Sequence, residues 1–113
     1  MPTALVMHPA CAAHDPGPHH PERPGRLAAI SDRLTSEGVI DLLRHIEAPE
    51  VTREQLARVH TPAYLDHLAA CEPAEGLHAL DPDTPLGPHT LAAARRAAGA
   101  LVAATDAVLA GRA

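Results

Sequence analysis

Apolar positions divide the chain into one short strand and several helical segments. Residues 3–7 (TALVM) form an uninterrupted apolar run, which is typical of a strand covered on both faces in a parallel sheet. After Pro24, the residues Leu27, Ile30 and Leu34 recur at the spacing of one helical face. The pattern predicts an α/β chain that is mostly helical, with its first helix starting at Pro24, where proline is well tolerated.

Two capping signals place the next helices. Thr52 and Gln55 form a Thr-x-x-Gln capping box, in which each side chain satisfies a free backbone N–H group at the helix start. Thr61 followed by Pro62 is a second start, because threonine caps well and proline fits the first turn. We expect the first of these helices to end near Val59. The second is expected to bury one face, formed by Tyr64, Leu65, Leu68 and Ala69.

The remaining segments are a short strand, a loop and a long helix. Residues 46–48 are assigned to the strand, and the polar, proline-rich residues 72–88 to the loop. Residues 88–110 predict an alanine-rich helix. Glycine inside a helix costs about 1 kcal/mol relative to alanine. Gly99 therefore indicates that another backbone packs closely against this helix.

The composition indicates a thin core and a weakly acidic surface. Tyr64 is the only aromatic residue, and the formal net charge is −5. Aromatic side chains bury the most area each, so a chain without Phe or Trp suggests part of a larger unit. The chain has no basic run, which argues against nucleic-acid binding through phosphate contacts.

Cysteine usage and hydropathy favour a cytoplasmic location. Cys11 and Cys71 lie far apart and form no CxxC pair, so two free thiols are expected. Residues 1–7 lack the basic and apolar regions of a secretory signal. No apolar run reaches the length of about 18 residues that a membrane span needs. We therefore predict a cytoplasmic protein without a membrane partner.

Three segments, in order, resemble one enzyme family. HPERPGRL at residues 20–27 follows the predicted strand, and LARVHTPAYL at residues 56–65 spans the two capped helices. DPDTP at residues 81–85 precedes the helix that contains AAGA at residues 97–100. In order and spacing, essentially the whole chain resembles the N-terminal part of the histone deacetylase and acetoin-utilisation superfamily.

The resemblance implies a fold and a chemistry. The fold is the arginase/deacetylase type, a three-layer α/β arrangement with a parallel sheet flanked by helices. Residues 1–113 would be the N-terminal, incomplete part of a single catalytic domain. Family members are zinc-dependent amidohydrolases that act on N-acetyl-lysine, acetylated polyamines or similar acyl-amides. Zinc polarises the carbonyl group and activates water, while paired histidines and a tyrosine handle the protons and the oxyanion.

The sequence lacks the motifs that supply the metal ligands and the catalytic histidines in the family. The family's Asp-x-His ligand motif and its glycine-flanked histidine pair do not occur in this chain. Tyr64 matches a structural position and not the oxyanion tyrosine, and the pair His19 and His20 matches an N-terminal loop and not the catalytic pair. We therefore expect this chain to supply no catalytic residue and no metal ligand. By itself it is expected to bind no zinc, to be inactive and to need the remainder of the catalytic domain as its partner.

Two positions carry binding roles by resemblance. Asp83 matches a carboxylate at the pocket rim that accepts N–H groups of the acetylated substrate, and Arg26 matches an arginine in a channel for the acetate product. Each has a simpler interpretation, because Asp-Thr-Pro is favourable turn chemistry and Arg26 fits an exposed first helical turn. The preceding motif is interpreted mainly as structural. It consists of His20, Pro21, Glu22, Arg23 and Pro24.

Two alternative functions stay open. An incomplete α/β layer would expose apolar faces, so a non-catalytic interaction module is one of them. A small metal-binding domain is the other, because Cys-x-x-His is a possible ligand spacing. It would use Cys11, His14, His19 and His20. No second pair of ligands at such a spacing completes the set, which weakens this alternative.

Overall fold

The computed structural model describes residues 2–113, so Met1, which belongs to the N-terminal segment from which the absence of a secretory signal was predicted, lies outside the described residues. The strands are β1 (Ala4–Met7), β2 (Arg44–Glu47), β3 (His78–Ala79) and β4 (Pro85–Leu86). The helices are α1 (Gly25–Ser36), α2 (Arg53–Leu56), α3 (Pro62–Cys71) and α4 (Thr90–Leu109), with 3₁₀ turns at Pro9–Ala13 and Ile40–Leu42. None of the helices within residues 2–113 combines the length and the apolar character needed to cross a membrane.

β1 and β2 form a two-stranded parallel sheet. Ala4 pairs with Arg44 and Met7 pairs with Glu47, and the Ala48 N–H donates to the Met7 carbonyl oxygen at 2.8 Å. The strand predicted at the start of the chain is confirmed, but its faces are only partly covered, since Ala4, Leu5 and Val6 are half-buried and Met7 is 38% exposed. The short strand predicted at positions 46–48 was placed too late, because the register with β1 starts the ladder two residues earlier.

The first helix was predicted to start at Pro24, and α1 starts one residue later, at Gly25, with Pro24 as its N-cap residue. Leu27 and Leu34 are half-buried on the expected face, whereas Ile30 is 51% exposed. The exposure has a simple cause, because α1 packs mainly against the 3₁₀ turn Ile40–Leu42 among the described elements. Part of its apolar face is therefore uncovered.

Both capping predictions are confirmed. The Gln55 N–H donates to Thr52 Oγ1 at 3.1 Å, and the Thr52 N–H donates to Gln55 Oε1 at 2.9 Å, which is the reciprocal pattern of a capping box. The Tyr64 N–H donates to Thr61 Oγ1 at 3.2 Å, so Thr61 caps α3. Local sequence chemistry therefore fixes where both helices start.

Two details of these helices differ from the predictions. α2 ends at Leu56 and not near Val59, because the residues after it form tighter turns, with the Val59 N–H donating to the Leu56 carbonyl oxygen at 3.2 Å. On α3, Leu65 is buried, but Tyr64 is 41% exposed and Ala69 is exposed as well. The expected buried face is only partly covered by residues 2–113.

The segment predicted to be a loop contains a small hairpin. β3 and β4 pair in antiparallel fashion, with His78 opposite Leu86. The Leu80 N–H donates to the Thr84 carbonyl oxygen at 3.0 Å and closes the turn between the strands. The loop assignment was wrong at these positions, because strands of two residues are too short to show an alternating pattern.

α4 lies against β1 and the 3₁₀ turn Pro9–Ala13, and its small residues allow close contact. A β-carbon on Gly99 would overlap the Pro49 carbonyl oxygen and would lie 2.8 Å from the Pro49 carbonyl carbon. The Val51 N–H also donates to the Arg95 carbonyl oxygen at 3.1 Å. The close backbone approach predicted from Gly99 is confirmed.

The core of the described chain is small and made mostly of alanine. Its buried apolar residues are Ala48, Val51, Leu65, Leu86, Ala93, Ala107 and Ala113. The accessible surface is 7568 Å², whereas a folded monomer of this mass exposes roughly 5,900 Å². The radius of gyration is 15.7 Å, against about 13 Å for a compact domain of this length. The chain therefore leaves apolar faces uncovered.

Candidate functional site

A cavity of about 700 Å³ opens where β1 ends. Its walls come from the N-terminal loop (residues 8–24), the first turn of α1, the DTP turn (residues 81–85) and α4. The polar side chains on these walls include His8, His14, Glu22, Arg26, Asp83 and Thr90. Loops at the carboxyl ends of parallel strands are the usual ligand sites of α/β folds. The cavity is therefore the candidate functional site.

His8 fixes the start of the N-terminal loop. The Ala10 N–H donates to His8 Nδ1 at 3.0 Å, and because a backbone N–H only donates, Nδ1 carries no proton. The proton of the neutral ring is then on Nε2, which lies 3.3 Å from Glu47 Oε1 at the end of β2. The His8 side chain thus ties the loop that follows β1 to the end of β2.

His14 joins the N-terminal loop to the start of α4. Its Nδ1 lies 2.8 Å from Thr90 Oγ1, which also accepts the Gly87 N–H at 2.8 Å. On the other side of the ring, Nε2 lies 3.9 Å from Glu22 Oε2. An ion pair at that distance with an exposed carboxylate contributes little stability. The main effect of His14 is to hold the loop against the cavity wall.

The DTP turn is organised by the carboxylate of Asp81. The Asp83 N–H donates to Asp81 Oδ1 at 2.8 Å, and the Thr84 N–H donates to the Asp81 carbonyl oxygen at 3.2 Å. The Thr84 hydroxyl, and then the Asp83 N–H, lower the pKa of Asp81 below its usual value, because both donate to the charged form. Asp81 is therefore ionised at neutral pH, and its support of the turn is lost only as the pH falls through that lowered pKa.

The two residues predicted to bind substrate and product lie on the same cavity. Asp83 belongs to the DTP turn, and Arg26 belongs to the first turn of α1. Arg26 is largely exposed, so it faces solvent as well as the cavity. The arrangement brings both residues to one site, while their roles in substrate and product binding stay predictions.

The motif at residues 20–24 connects the N-terminal loop to α1 and to the cavity. Pro24 occupies the N-cap position of α1 and makes no side-chain hydrogen bond there. Glu22 lines the cavity, and His20 reaches the DTP turn, with Nε2 lying 3.1 Å from the Asp83 carbonyl oxygen. The exposed members without a cavity contact are Pro21 and Arg23. The motif therefore shapes the site as well as the start of the helix.

The side chains of the N-terminal loop do not converge on a metal position. Cys11 Sγ donates to the Ala93 carbonyl oxygen at 3.7 Å, while His14 and His20 turn toward different neighbours. Within residues 2–113, no three His, Cys, Asp or Glu side chains lie close enough together to hold a metal ion. The donor groups of the described residues do not fit a zinc site, and the geometry gives no support to an independent metal-binding domain.

Sequence reasoning missed the contribution of α4 to the cavity. Thr90 binds His14, and Ala93 and Ala97 line the wall behind it. No chemical role was predicted for these alanines, because small apolar side chains carry no chemical signal. Thr90 offered a weak signal, since a hydroxyl residue at a helix start often bonds neighbouring groups.

The family model described as "Histone deacetylase domain" matches residues 20–113. A histone deacetylase-like amidohydrolase from Pseudomonas aeruginosa is 34% identical over a gapped alignment of 128 residues, which covers 98% of this chain and 33% of that relative. The human polyamine deacetylase HDAC10 is 36% identical over a gapped alignment of 120 residues, which covers 98% of this chain and 18% of that protein. The chain thus spans a third or less of the length of these two curated relatives.

The comparison with solved structures agrees with the match to the family model. The crystal structure of the HDA15 HD domain superposes with a TM-score of 0.90 at 29% identity, covering 100% of this chain and 33% of that one. The described elements therefore form the N-terminal part of this α/β fold, with its parallel sheet and its flanking helices.

Proposed function

Because this chain belongs to the histone deacetylase family, we propose that it is the N-terminal part of a zinc-dependent amidohydrolase. The whole enzyme would hydrolyse an acyl-amide, such as N-acetyl-lysine in a protein or an acetylated polyamine. Residues 1–113 would belong to one catalytic domain, and the remainder of that domain would be the partner of this chain.

One observation carries the proposal: two segments that are distant in sequence line one cavity at the end of β1. The N-terminal loop supplies Glu22 and leads into Arg26, and the DTP turn supplies Asp83. Both segments belong to the motifs through which the chain resembles the family. Their meeting at the carboxyl end of a parallel strand is the arrangement that an α/β enzyme needs around its substrate.

The side chains of Asp83 and Arg26 suit the binding of the substrate and of the product of such a reaction. An ionised carboxylate at position 83 accepts up to two N–H groups and so fixes the direction of an amide substrate. The guanidinium group of Arg26 suits a carboxylate, because its planar fork of donors matches the two oxygen atoms of acetate. This chain would therefore bind and orient, and no proton transfer is assigned to it.

Zinc would be held by residues outside this chain. A catalytic zinc ion commonly has three protein ligands and one open position. Within the described range 2–113, the carboxylates, thiols and imidazoles do not form such a group. The proposed contribution of the chain is the wall and the rim of the pocket, and the metal chemistry belongs to the remainder of the domain.

A hybrid domain tests the proposal. In this hybrid domain, residues 1–113 replace the matching third of the Pseudomonas aeruginosa relative. The alignment between the two proteins covers 98% of this chain. We expect the hybrid domain to release acetate from an acetyl-lysine peptide or from an N-acetylpolyamine, and to lose this activity on treatment with a chelator.

Two controls accompany the hybrid domain. The unmodified relative reports the activity of a matched pocket, and the relative without its first third reports the background. A hybrid domain that folds and binds zinc but hydrolyses neither substrate above that background would show that these residues do not form a working pocket wall.

A further inference from the structure

His20 uses both of its ring nitrogens. The Glu22 N–H donates to Nδ1 at 3.1 Å, and Nε2 lies 3.1 Å from the carbonyl oxygen of Asp83. The first contact lies within the N-terminal loop and the second reaches the DTP turn, 63 positions away in the sequence. Each end of the ring therefore holds a different segment of the cavity wall.

The two contacts determine the tautomer of the ring. A backbone N–H only donates, so Nδ1 must accept and carries no proton. A carbonyl oxygen only accepts, so Nε2 must carry the proton and donate it to Asp83. Both bonds are made by one neutral tautomer, and neither the opposite tautomer nor the protonated ring satisfies both.

This bond is the link between the two segments. Among residues 2–113, it is the one hydrogen bond that joins the N-terminal loop to the DTP turn. The turn is otherwise held by local bonds to Asp81 and by the closure between Leu80 and Thr84. Those bonds fix the shape of the turn, and the bond from His20 fixes its position relative to Glu22 and the cavity.

We propose that His20 is a positioning residue for Asp83, an inference that rests on the proposed function of the site. The imidazole holds the backbone of Asp83 itself, so the carboxylate of that residue stays beside the cavity where a substrate amide would lie. His20 acts through Asp83 and does not itself contact the substrate. The neighbouring His19 is exposed and serves as the matched control.

Kinetics of the hybrid domain give the first test. His20→Ala should lower kcat/KM about 5- to 10-fold, mostly through a higher KM, because the loss of one positioning bond weakens substrate and transition state alike. His20→Gln should retain most of the parent kcat/KM, since its amide nitrogen reaches the place of Nε2. The shorter side chain of His20→Asn can replace only Nδ1, so this variant should be as impaired as His20→Ala. His19→Ala should match the parent.

Nuclear magnetic resonance gives a test that needs no activity. Long-range proton–nitrogen spectra of the 113-residue chain, or of the hybrid domain, should show His20 as the tautomer with its proton on Nε2. The Asp83 amide signal should move in His20→Ala and not in His19→Ala.

The two tests separate the failure of the inference from that of the proposed function. An inactive hybrid domain whose His20 has the expected tautomer contradicts the proposed function alone. An active hybrid domain in which His20→Ala equals the parent, or in which Asn restores as well as Gln, overturns the positioning role. A proton found on Nδ1 overturns it as well.

Discussion

Replacing Gly99 by alanine is expected to lower the free energy of unfolding by about 2–3 kcal/mol, in the range that overpacking costs. Alanine is the better helix former by about 1 kcal/mol, so propensity alone predicts the opposite sign. The new methyl group would overlap the Pro49 carbonyl oxygen and would lie 2.9 Å from the Val51 nitrogen. These are backbone atoms, which have no alternative rotamer. α4 would have to move away, and the bond from the Val51 N–H to the Arg95 carbonyl oxygen would stretch with it.

Gly25→Ala is the matched control for this prediction. Gly25 also lies in a helix, but the nearest atom to its added β-carbon is Arg23 Nε at 4.0 Å. That change should leave the stability unchanged or raise it by less than about 1 kcal/mol. Urea unfolding of both variants in the hybrid domain measures the difference. Equal midpoints for the two variants would mean that the contact of α4 with Pro49 is not close.

Asp83→Asn is expected to lower kcat/KM of the hybrid domain about 10- to 100-fold, because a hydrogen bond to a charged group contributes about 1.5–3 kcal/mol. Asparagine keeps the size of the side chain but loses the charge and one acceptor oxygen. The turn itself should survive, since Asp83 takes part in it through its backbone, with its N–H on Asp81 Oδ1 and its carbonyl oxygen on His20. The loss would therefore report on the carboxylate and not on folding.

Asp32→Asn is the control for the charge change, because Asp32 is an exposed residue of α1. It should leave kcat and KM as in the parent. An Asp83→Asn variant with kcat/KM within about twofold of the parent would assign position 83 to turn formation only, the simpler interpretation of its sequence.

Local chemistry explains most of what could be predicted from the sequence. The capping box at Thr52, the cap at Thr61 and the close approach at Gly99 depend on a few neighbouring atoms, so each was visible in the residue types. The apolar run of β1 requires a neighbouring strand at its edge and packing on its faces, and this requirement was predictable from its apolar residues.

The predictions from the sequence were wrong where contacts between distant residues determine the structure. The start of β2 depends on its register with β1, which no local pattern contains. Ile30 and Tyr64 have the spacing of buried positions and are exposed, because α1 and α3 have few packing partners among the described elements. The hairpin of β3 and β4 has too few residues to produce a periodic signal.

The site was the least predictable part. Arg26 and Asp83 were selected by resemblance, since hydrophobic patterns say nothing about which loops meet. The contact of Thr90 with His14 and the bridging role of His20 emerged only from the three-dimensional arrangement, because each depends on a partner more than 60 positions away.

The most direct test compares acetate release by the 113-residue chain alone with release by the hybrid domain, both supplied with zinc and an acetyl-lysine peptide. The account predicts hydrolysis by the hybrid domain, together with no hydrolysis and no stoichiometric zinc binding by the chain alone. Zinc-dependent hydrolysis by the isolated chain would contradict it, because a metal centre would then exist among residues to which only the pocket wall is assigned.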